Sequence, residues 1–345
     1  MYAAFQSELV RPIIIIGGGI AGLTLGVLLR QRGAPVQLWE AHDYPRHRVC
    51  GEFISGRGAE LLVELLPNLQ TQAVAAQTVR FYADGQSSKT FTLPAAGLSI
   101  ARWDLDNALA KAFTAAGGEL ILKRRWTELF KKPGVVRATG RRIDSNGRGW
   151  TGLKAHLTKF EATADLEMHF SNDGYLGISR LPNGANICAL VREGFPGADF
   201  RKDPSSVFRR LLNSESSARL ASAELDPSSC CAVAGISFRH NSATDECCVG
   251  DAIQMIPPFT GNGMSLAVES ALFAAEPLNG YAESLPEWPG AVQQVNSRCA
   301  KAFRGRFGAA SFLGKTTHRT WTRRLMLSSL RTVPQLFSLW FRATR

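Results

Sequence analysis

Three glycines near the start of the chain, Gly17, Gly19 and Gly22, have the G-x-G-x-x-G spacing of a phosphate-binding turn. Each glycine of this pattern has a separate role. The first allows a tight bend, the second lets a pyrophosphate approach the backbone, and the third lets a helix pack on the preceding strand. Ala21 lies inside the same turn. We therefore predict that Gly17, Gly19, Ala21 and Gly22 contact the phosphates of a dinucleotide.

The segments on either side of this turn have the pattern of a βαβ unit. Residues 13–16 are four isoleucines, which is typical of a parallel strand buried on both faces. A helix predicted over about Ile20 to Gln31 points the positive end of its dipole at the phosphates. A second strand over residues 36–40 ends in Glu40, where a carboxylate accepts hydrogen bonds from an adenosine ribose. The alternative is an ordinary βαβ unit without a ligand.

A second segment, residues 247–269, predicts a short strand, an acidic residue, a loop and a new helix. Two consecutive prolines delay the helix because they lack N–H groups. Gly261 and Gly263 then allow close approach to the backbone where the helix starts. Asp251 follows the strand, at the edge where open α/β sheets bind ligands. The alternative is a surface loop that happens to contain glycine and proline.

Together these two segments resemble the nucleotide fingerprint and the Gly-Asp motif of the para-hydroxybenzoate-hydroxylase-like flavoproteins. Gly26 extends the first segment to the longer glycine pattern of FAD-binding flavoproteins. The resemblance implies that FAD is the cofactor and that Asp251 binds its ribityl chain. It also implies that the loop containing Gly261, Gly263 and Met264 lies against the isoalloxazine ring, where a helix dipole favours negative charge on the reduced flavin.

A third segment, residues 45–55, resembles the Pro-Arg-x-Lys-x-Cys-Gly run of the geranylgeranyl-reductase branch, with Arg48 in place of the lysine. In that branch the stretch lies near the flavin, so the resemblance makes Arg48 a cofactor contact and Cys50 a candidate catalytic residue. A neighbouring cation such as Arg48 lowers a thiol pKa. The alternatives are a Cys50 that only lines the pocket and a solvated ion pair between Arg48 and Glu52.

Two further stretches match flavin oxidoreductases. Residues 98–109 resemble the segment in which an arginine, here Arg102, contacts the phosphate side of FAD at a helix start; the alternative is a surface charge. Residues 135–141 resemble the Ala-Thr-Gly strand end of that class. Residues 250–254 depart from the Gly-Asp-Ala-Ala-His of aromatic hydroxylases, and the Trp-x-Trp-x-Ile-Pro signature of flavin halogenases is missing. These departures favour the reductase-like branch and argue against halogenation.

The expected fold class is α/β. Residues 10–73, 98–150 and 239–290 are predicted to form a discontinuous Rossmann-type FAD-binding domain. Residues 74–97 and 151–238 carry β-branched and alternating patterns, which predict an interleaved antiparallel β-sheet substrate domain. Its clearest hairpin candidate joins residues 176–181 to residues 186–191 through a turn at residues 182–185. Residues 291–345 are predicted to form a basic helical C-terminal segment.

The composition predicts a cytoplasmic protein without a metal site. The seven cysteines are odd in number and have no zinc-ligand spacing. We expect them to be reduced, because residues 1–11 are too short for a secretory segment before the first strand. No run of 18 apolar residues predicts a spanning helix.

The net charge of +11 is concentrated in the last sixth of the chain. Residues 288–345 contain eleven Lys or Arg and no Asp or Glu, so the remaining residues balance at 29 of each sign. Apolar residues recur there at helical spacing, which predicts either a packed helical lid with a solvated basic face or a peripheral contact with an anionic membrane. Nucleic-acid binding is not expected, since no recognition module is present.

These observations lead to one principal hypothesis, a FAD-dependent oxidoreductase acting on a hydrophobic small molecule, with NAD(P)H or a partner reductase as the electron source. Since no second glycine fingerprint follows residue 40, we expect no separate nicotinamide-binding domain. The alternatives are a flavin-dependent monooxygenase of a polyketide-like or aromatic substrate and a non-catalytic flavin-binding protein.

Overall fold

A computed structural model describes residues 10–141, 149–195, 200–238, 245–317 and 319–345. The strands of the described part are β1 Ile13–Ile16, β2 Val36–Trp39, β3 Phe53–Ile54, β4 Val74–Ala83, β5 Gln86–Ser87, β6 Phe91–Ser99, β7 Glu119–Ile121, β8 Val135–Arg137, β9 Trp150–Thr158, β10 Leu166–Phe170, β11 Gly174–Leu181, β12 Gly184–Val191, β13 Glu224–Ile236 and β14 Cys247–Cys248.

The helices are α1 Ile20–Gln31, α2 Arg57–Leu65, α3 Arg102–Ala115, α4 Pro204–Arg209, α5 Ser214–Ser222, α6 Gly263–Ala282, α7 Trp288–Thr317, α8 Thr320–Thr332 and α9 Gln335–Ala343. Short 3₁₀ turns cover Pro67–Gln72, Gly250–Ala252 and Pro258–Thr260. Within the described ranges, no helix combines the length and the apolar character that crossing a bilayer requires.

The first layer is a five-stranded sheet with the order β14-β8-β1-β2-β7. Every pair in it is parallel, and β1 lies at its centre between β2 and β8. Ile13, Ile15 and Ile16 of β1 are buried and Ile14 is half-buried. Helices α1 and α6 share one apolar core with the sheet. The predicted βαβ unit and the predicted helix after the second glycine segment are both confirmed.

The second layer is a curled sheet of nine strands with the order β13-β9-β12-β11-β10-β4-β6-β3, and β5 pairs with β4. Its pairs are antiparallel except that β10 runs parallel to β4, so the sheet is mixed rather than purely antiparallel. The predicted hairpin is confirmed: β11 and β12 pair from Gly174 with Val191 to Leu181 with Gly184, which leaves a two-residue turn. The short strand β3 pairs with β6, so the chain after β2 already joins this layer.

The C-terminal helices belong to both layers. Helix α7 packs on α6 and adds Val292, Val295 and Phe303 to the core of the parallel sheet. Helices α8 and α9 instead cover the second sheet. Leu327 and Phe337 are buried there in an apolar cluster that also contains residues of β4, β6 and β10. The segment is thus a packed cover, and contact with a membrane stays a prediction from the sequence.

Candidate functional site

The glycine turn after β1 has the close contacts that the spacing predicts. Gly17 has a positive φ of 111°, and a Cβ atom there would lie 2.4 Å from the carbonyl oxygen of Ala138 at the end of β8. A Cβ atom on Gly22 would lie 2.0 Å from the carbonyl oxygen of Gly17. Gly19 differs, because a Cβ atom there would meet nothing within 4 Å. Gly17 and Gly22 are therefore required by the fold, whereas Gly19 leaves open space at the N-terminus of α1.

Other glycines with free space beside their Cα atoms extend this region. Gly51, Gly140 and Gly263 likewise have nothing within 4 Å of an added Cβ atom. Gly140 follows β8 and Gly263 begins α6, so both lie at the carboxyl edge of the parallel sheet. Ligands of open α/β sheets bind outside this edge, where backbone N–H groups at the start of a helix donate hydrogen bonds to anions. The backbone therefore fits an extended dinucleotide such as FAD.

Asp251 lies in the 3₁₀ turn that follows β14. Burial raises the pKa of its carboxyl above the ordinary value, while the nearby charges of Arg141 and Arg102 oppose that rise. Arg141 comes directly after the Ala-Thr-Gly strand end and was not singled out from the sequence. A carboxylate held between cations at the strand edge suits hydroxyl donors such as those of a ribityl chain.

Glu40, predicted to bind a ribose, is only 5% exposed. Its Oε2 accepts a hydrogen bond from the N–H of Gly18 at 2.9 Å, and its Oε1 accepts one from the N–H of His42 at 3.0 Å. Tyr44 donates its hydroxyl to the Gly18 carbonyl at 2.5 Å. Arg48 Nη2 also donates to Oε2 at 3.3 Å, and since a carboxylate has about four acceptor positions, about one remains for another donor. Glu40 thus fixes the backbone of the glycine turn, and its contact with a ribose stays a prediction.

Arg48 and Arg102, both predicted as cofactor contacts, converge on Asp106. The Nε and Nη2 atoms of Arg102 each lie 2.8 Å from the carboxylate of Asp106, and the Nε of Arg48 lies 3.0 Å from it. Asp106 is fully buried, and Arg48 also reaches Glu40 at 3.3 Å. The alternative interpretation, a solvated pair of Arg48 with Glu52, is therefore wrong. The sequence signal that could have found Asp106 is its position one helical turn after Arg102.

Cys50 lies beside Arg102 rather than beside Arg48. Burial raises the pKa of the Cys50 thiol, and the charge of Arg102 opposes the rise only in part. The expectation that Arg48 lowers this pKa is wrong, because Arg48 is engaged by Glu40 and Asp106. The carbonyl of Cys50 accepts a hydrogen bond from the Asn186 side chain on β12 at 3.0 Å. The thiol is therefore held protonated against the second sheet.

Behind Cys50 lies a buried charged cluster that the sequence did not reveal. Glu52 is fully buried, and its carboxylate lies 2.7 Å from His156 Nε2 and 3.4 Å from Lys154 Nζ, both on β9. It also accepts the backbone N–H of Arg102 at 3.0 Å. Burial alone would raise the pKa of Glu52, but the hydrogen bond from His156 and the charge of Lys154 lower it. This cluster fixes the Cys50 segment between the two layers.

The same cluster predicts a pH dependence of stability through His47. Its Nδ1 lies 3.0 Å from Lys154 Nζ, and burial, with the charges of Lys154 and His156, lowers the pKa of His47 from 6.5 to about 4, although Glu52 and Asp226 oppose the shift. A lowered histidine pKa means that the unfolded chain binds the proton more tightly. The stability is therefore complete above pH 6.5 and is lost as the pH falls toward 4.

We expect this loss to be about 1–2 kcal/mol, because partial solvent screening reduces the full value. Thermal unfolding of the wild type and of His47→Asn between pH 4 and 7 measures it. The variant is expected to have the shallower slope, and equal slopes in both proteins would contradict the prediction.

An apolar cavity of about 170 Å³ lies between the second sheet and the helices that cover it. It meets the cofactor region at Gly51, at Phe53 and at the loop of residues 258–261. Its apolar wall is formed by Val79, Phe81, Leu93, Leu166, Met168, Phe170, Tyr175, Ile178, Leu313, Met326, Leu330, Phe337, Trp340 and Phe341. The arrangement suits a hydrophobic small molecule placed beside the predicted flavin ring.

No metal centre accompanies this site in the part of the chain that the structure describes. There, no group of three or more His, Cys, Asp or Glu side chains is placed to hold a metal ion. All seven cysteines are free thiols.

Sequence comparison finds a similarity over the first part of the chain. A family model for NAD(P)-binding Rossmann-like domains matches residues 15–64, which include the glycine turn, Glu40, Arg48 and Cys50. No curated protein sequence matches the chain at a significant level.

Solved structures match nearly the whole chain. The flavin-dependent brominase Bmp2 has a TM-score of 0.75 at 18% identity, with 96% of this chain and 92% of the brominase covered. A geranylgeranyl bacteriochlorophyll reductase-like protein from Thermoplasma acidophilum has a TM-score of 0.71 at 17% identity, with 93% and 90% covered. PqsL of Pseudomonas aeruginosa, a probable FAD-dependent monooxygenase, has a TM-score of 0.67 at 15% identity, with 90% and 98% covered. At these identities the likeness establishes the fold, and the chain has the fold of FAD-dependent oxidoreductases.

Proposed function

We propose that this protein is a FAD-dependent oxidoreductase that acts on a hydrophobic small molecule. The observation that carries the proposal is that the open space along the parallel sheet and the apolar cavity meet at the loop before α6. Open space at Gly19, Gly140 and Gly263 follows the edge of the parallel sheet, and the apolar cavity reaches the same region at Gly261. A redox cofactor and an apolar substrate would therefore be neighbours, as hydride or electron transfer requires.

The residues that would hold FAD come from three segments. Gly17, Gly19, Ala21 and Gly22 would receive the pyrophosphate, with Arg48 and Arg102 as cations beside it. Glu40 would receive the adenosine ribose, and Asp251 the ribityl chain. Gly261, Gly263 and Met264 would lie against the ring, and FAD supplies hydride or electron transfer when it is bound.

The protein environment of the proposed ring position favours a reduced, negatively charged flavin. Helix α6 begins at Gly263 and runs for 20 residues, so its unpaired N–H groups and dipole point at the loop of residues 261–264. Asn262, fully buried in this loop, donates its side-chain amide to the carbonyl of Thr344. The loop is therefore fixed by the C-terminal segment before a ligand arrives, which is the preorganisation that electrostatic stabilisation requires.

The direction of the reaction is proposed as reduction or oxidation of the substrate at the flavin, as in the geranylgeranyl-reductase branch. NAD(P)H or a partner reductase would supply the electrons. The second candidate is a flavin-dependent monooxygenase, which the covered apolar cavity favours because oxygen insertion requires exclusion of water. A non-catalytic flavin-binding protein is the candidate from another class.

One experiment separates these candidates. FAD-loaded protein is reduced with NADPH, NADH or dithionite and then mixed with a panel of isoprenoid and polyketide-like compounds, with and without oxygen. Reoxidation by a compound without oxygen supports the reductase, and an oxygenated product formed only with oxygen supports the monooxygenase. If no compound reoxidises the flavin or forms a product under either condition, the enzymatic proposal fails. Failure to retain FAD refutes the flavoprotein assignment altogether.

We also predict that Cys50→Ser retains FAD but changes turnover. The thiol lies beside Arg102 and on the segment that reaches the cavity at Gly51, so its loss alters the reaction chamber without removing a cofactor contact. The expected change in kcat is about tenfold, typical of a positioned group of modest strength. Cys299→Ser, on the buried face of α7, is the matched control with unchanged kcat. If Cys50→Ser turned over substrate at the wild-type rate, Cys50 would have only a packing role.

A further inference from the structure

The side chain of Arg345 enters the site from the C-terminal segment. Its Nε lies 2.6 Å from the hydroxyl of Ser55, and its Nη2 lies 3.4 Å from the carbonyl of Thr260. The guanidinium also lies over the ring of Phe341, with its carbon 3.6 Å from the ring centre. A Cβ atom on Gly261 would be 3.7 Å from Arg345 Nη2, so this cation borders the proposed flavin loop.

This cation is not neutralised by the side chains around it. Among the described residues, no side-chain carboxylate lies within ion-pair distance of Arg345, whose polar partners are hydroxyl and carbonyl oxygens. The side-chain charge that influences its pKa is another cation, Arg306, which is itself paired with Glu269 at 2.8 Å. Burial, together with Arg306, lowers the pKa of Arg345 to about 9. Arg345 is half-buried, and a cation that no side-chain carboxylate neutralises at the wall of a cavity is suited to pair with a ligand that supplies the opposite charge.

Arg345 is also one of the few polar groups on the wall of the apolar cavity. The remainder of the wall near it is formed by aromatic and aliphatic side chains, including Phe53, Trp340 and Phe341. Such a lining orients a ligand by a small number of polar contacts, and guanidinium geometry matches a carboxylate through two parallel hydrogen bonds.

We propose that the cavity binds an amphiphilic anion, with an apolar body against the sheet and a carboxylate or ionised phenol paired with Arg345. This inference rests on the proposed function, because it names the class of substrate that the proposed active site binds. The position of Arg345 beside Thr260 and Gly261 places the anionic end at the flavin loop. The apolar body extends away from it, toward Leu330 and Phe337 on α8 and α9.

The test uses two probes of equal length and different charge, decanoate and decanol. Binding to the full-length protein is measured by calorimetry and by the change in tryptophan fluorescence, to which Trp340 in the cavity wall contributes. Wild-type protein is expected to bind decanoate at least about tenfold more tightly than decanol. Arg345→Gln is expected to remove this preference by weakening decanoate alone, and Arg345→Lys is expected to retain part of it because the charge remains.

Arg342→Gln is the matched control, because Arg342 lies on α9 one turn earlier and is exposed. It is expected to leave both affinities unchanged. Equal binding of decanoate by Arg345→Gln and wild type, or equal binding of both probes by wild type, would overturn the proposal. FAD content is measured on each sample, so loss of FAD with the anion preference intact would refute the proposed function and leave this inference standing.

Discussion

Replacing Gly19 with valine is expected to abolish FAD retention while leaving the folded protein intact. Gly19 precedes α1 with φ of −86°, a backbone conformation that valine adopts without strain, and its Cβ position is open. The new side chain would fill the space that the pyrophosphate must enter. We expect FAD affinity to fall at least about a hundredfold and the melting temperature of the cofactor-free protein to stay unchanged. Absorbance of flavin retained on the purified protein and thermal unfolding measure the two effects.

Gly22→Val provides the contrasting control. Its Cβ atom would lie 2.0 Å from the carbonyl oxygen of Gly17, and the backbone on both sides is fixed by β1 and α1. Overpacking of this kind costs about 1–3 kcal/mol or more, so this variant is expected to lose stability as well as FAD. If Gly19→Val retained FAD at full occupancy, the assignment of the pyrophosphate to this turn would be wrong.

The second large effect is expected for Arg323→Ala, which removes the buried ion pair between α8 and the second sheet. Arg323 is fully buried, and its Nη2 lies 2.6 Å from the carboxylate of Asp84 and 2.8 Å from the amide oxygen of Asn172. Its Nη1 donates to the carbonyls of Ser171 and Thr317. Truncation leaves the Asp84 charge without its partner, which costs about 3–5 kcal/mol.

We expect this loss to appear as opening of α8 and α9, because the hydrogen bonds of Arg323 connect α8 to Asp84, Ser171 and Asn172 of the second sheet. Hydrogen exchange of their backbone amides measures the opening, and amides of α1 serve as the internal reference. Arg324→Ala is the matched control, since Arg324 is the exposed neighbour on the same helix. Equal protection of α8 in the Arg323→Ala and Arg324→Ala variants would show that the buried pair does not hold the cover in place.

The sequence was sufficient to predict the elements that depend on residues close together in the chain. The four isoleucines and the glycines after them predicted β1 and α1 because strand burial and a phosphate turn depend on neighbouring residues. The strand and loop before α6 followed from Asp251, the prolines and the glycines in the same way. The turn residues at 182–185 predicted the β11–β12 hairpin for a similar reason, although the strands already pair at Gly184 and leave a turn of two residues.

The partners of the charged residues could not be predicted, because they depend on contacts between distant segments. Arg48 and Arg102 meet at Asp106, and Glu52 meets Lys154 and His156 more than a hundred residues later. Alternation of apolar residues does not reveal which strand lies beside which, so the parallel pairing of β4 with β10 was also missed. The same limit applied to the docking of α8 and α9, for which the sequence left two alternatives.

The cover formed by α8 and α9 is fastened at both ends, and this constrains how the protein can change during evolution. Arg323 is fixed to Asp84, and 22 positions later Arg345 is fixed to Ser55, with a two-helix segment between them. An inserted or deleted residue turns all following helical side chains by about 100°, which would rotate the buried apolar face off the sheet. Homologues should therefore vary freely in the exposed side chains of this segment and hardly at all in its length.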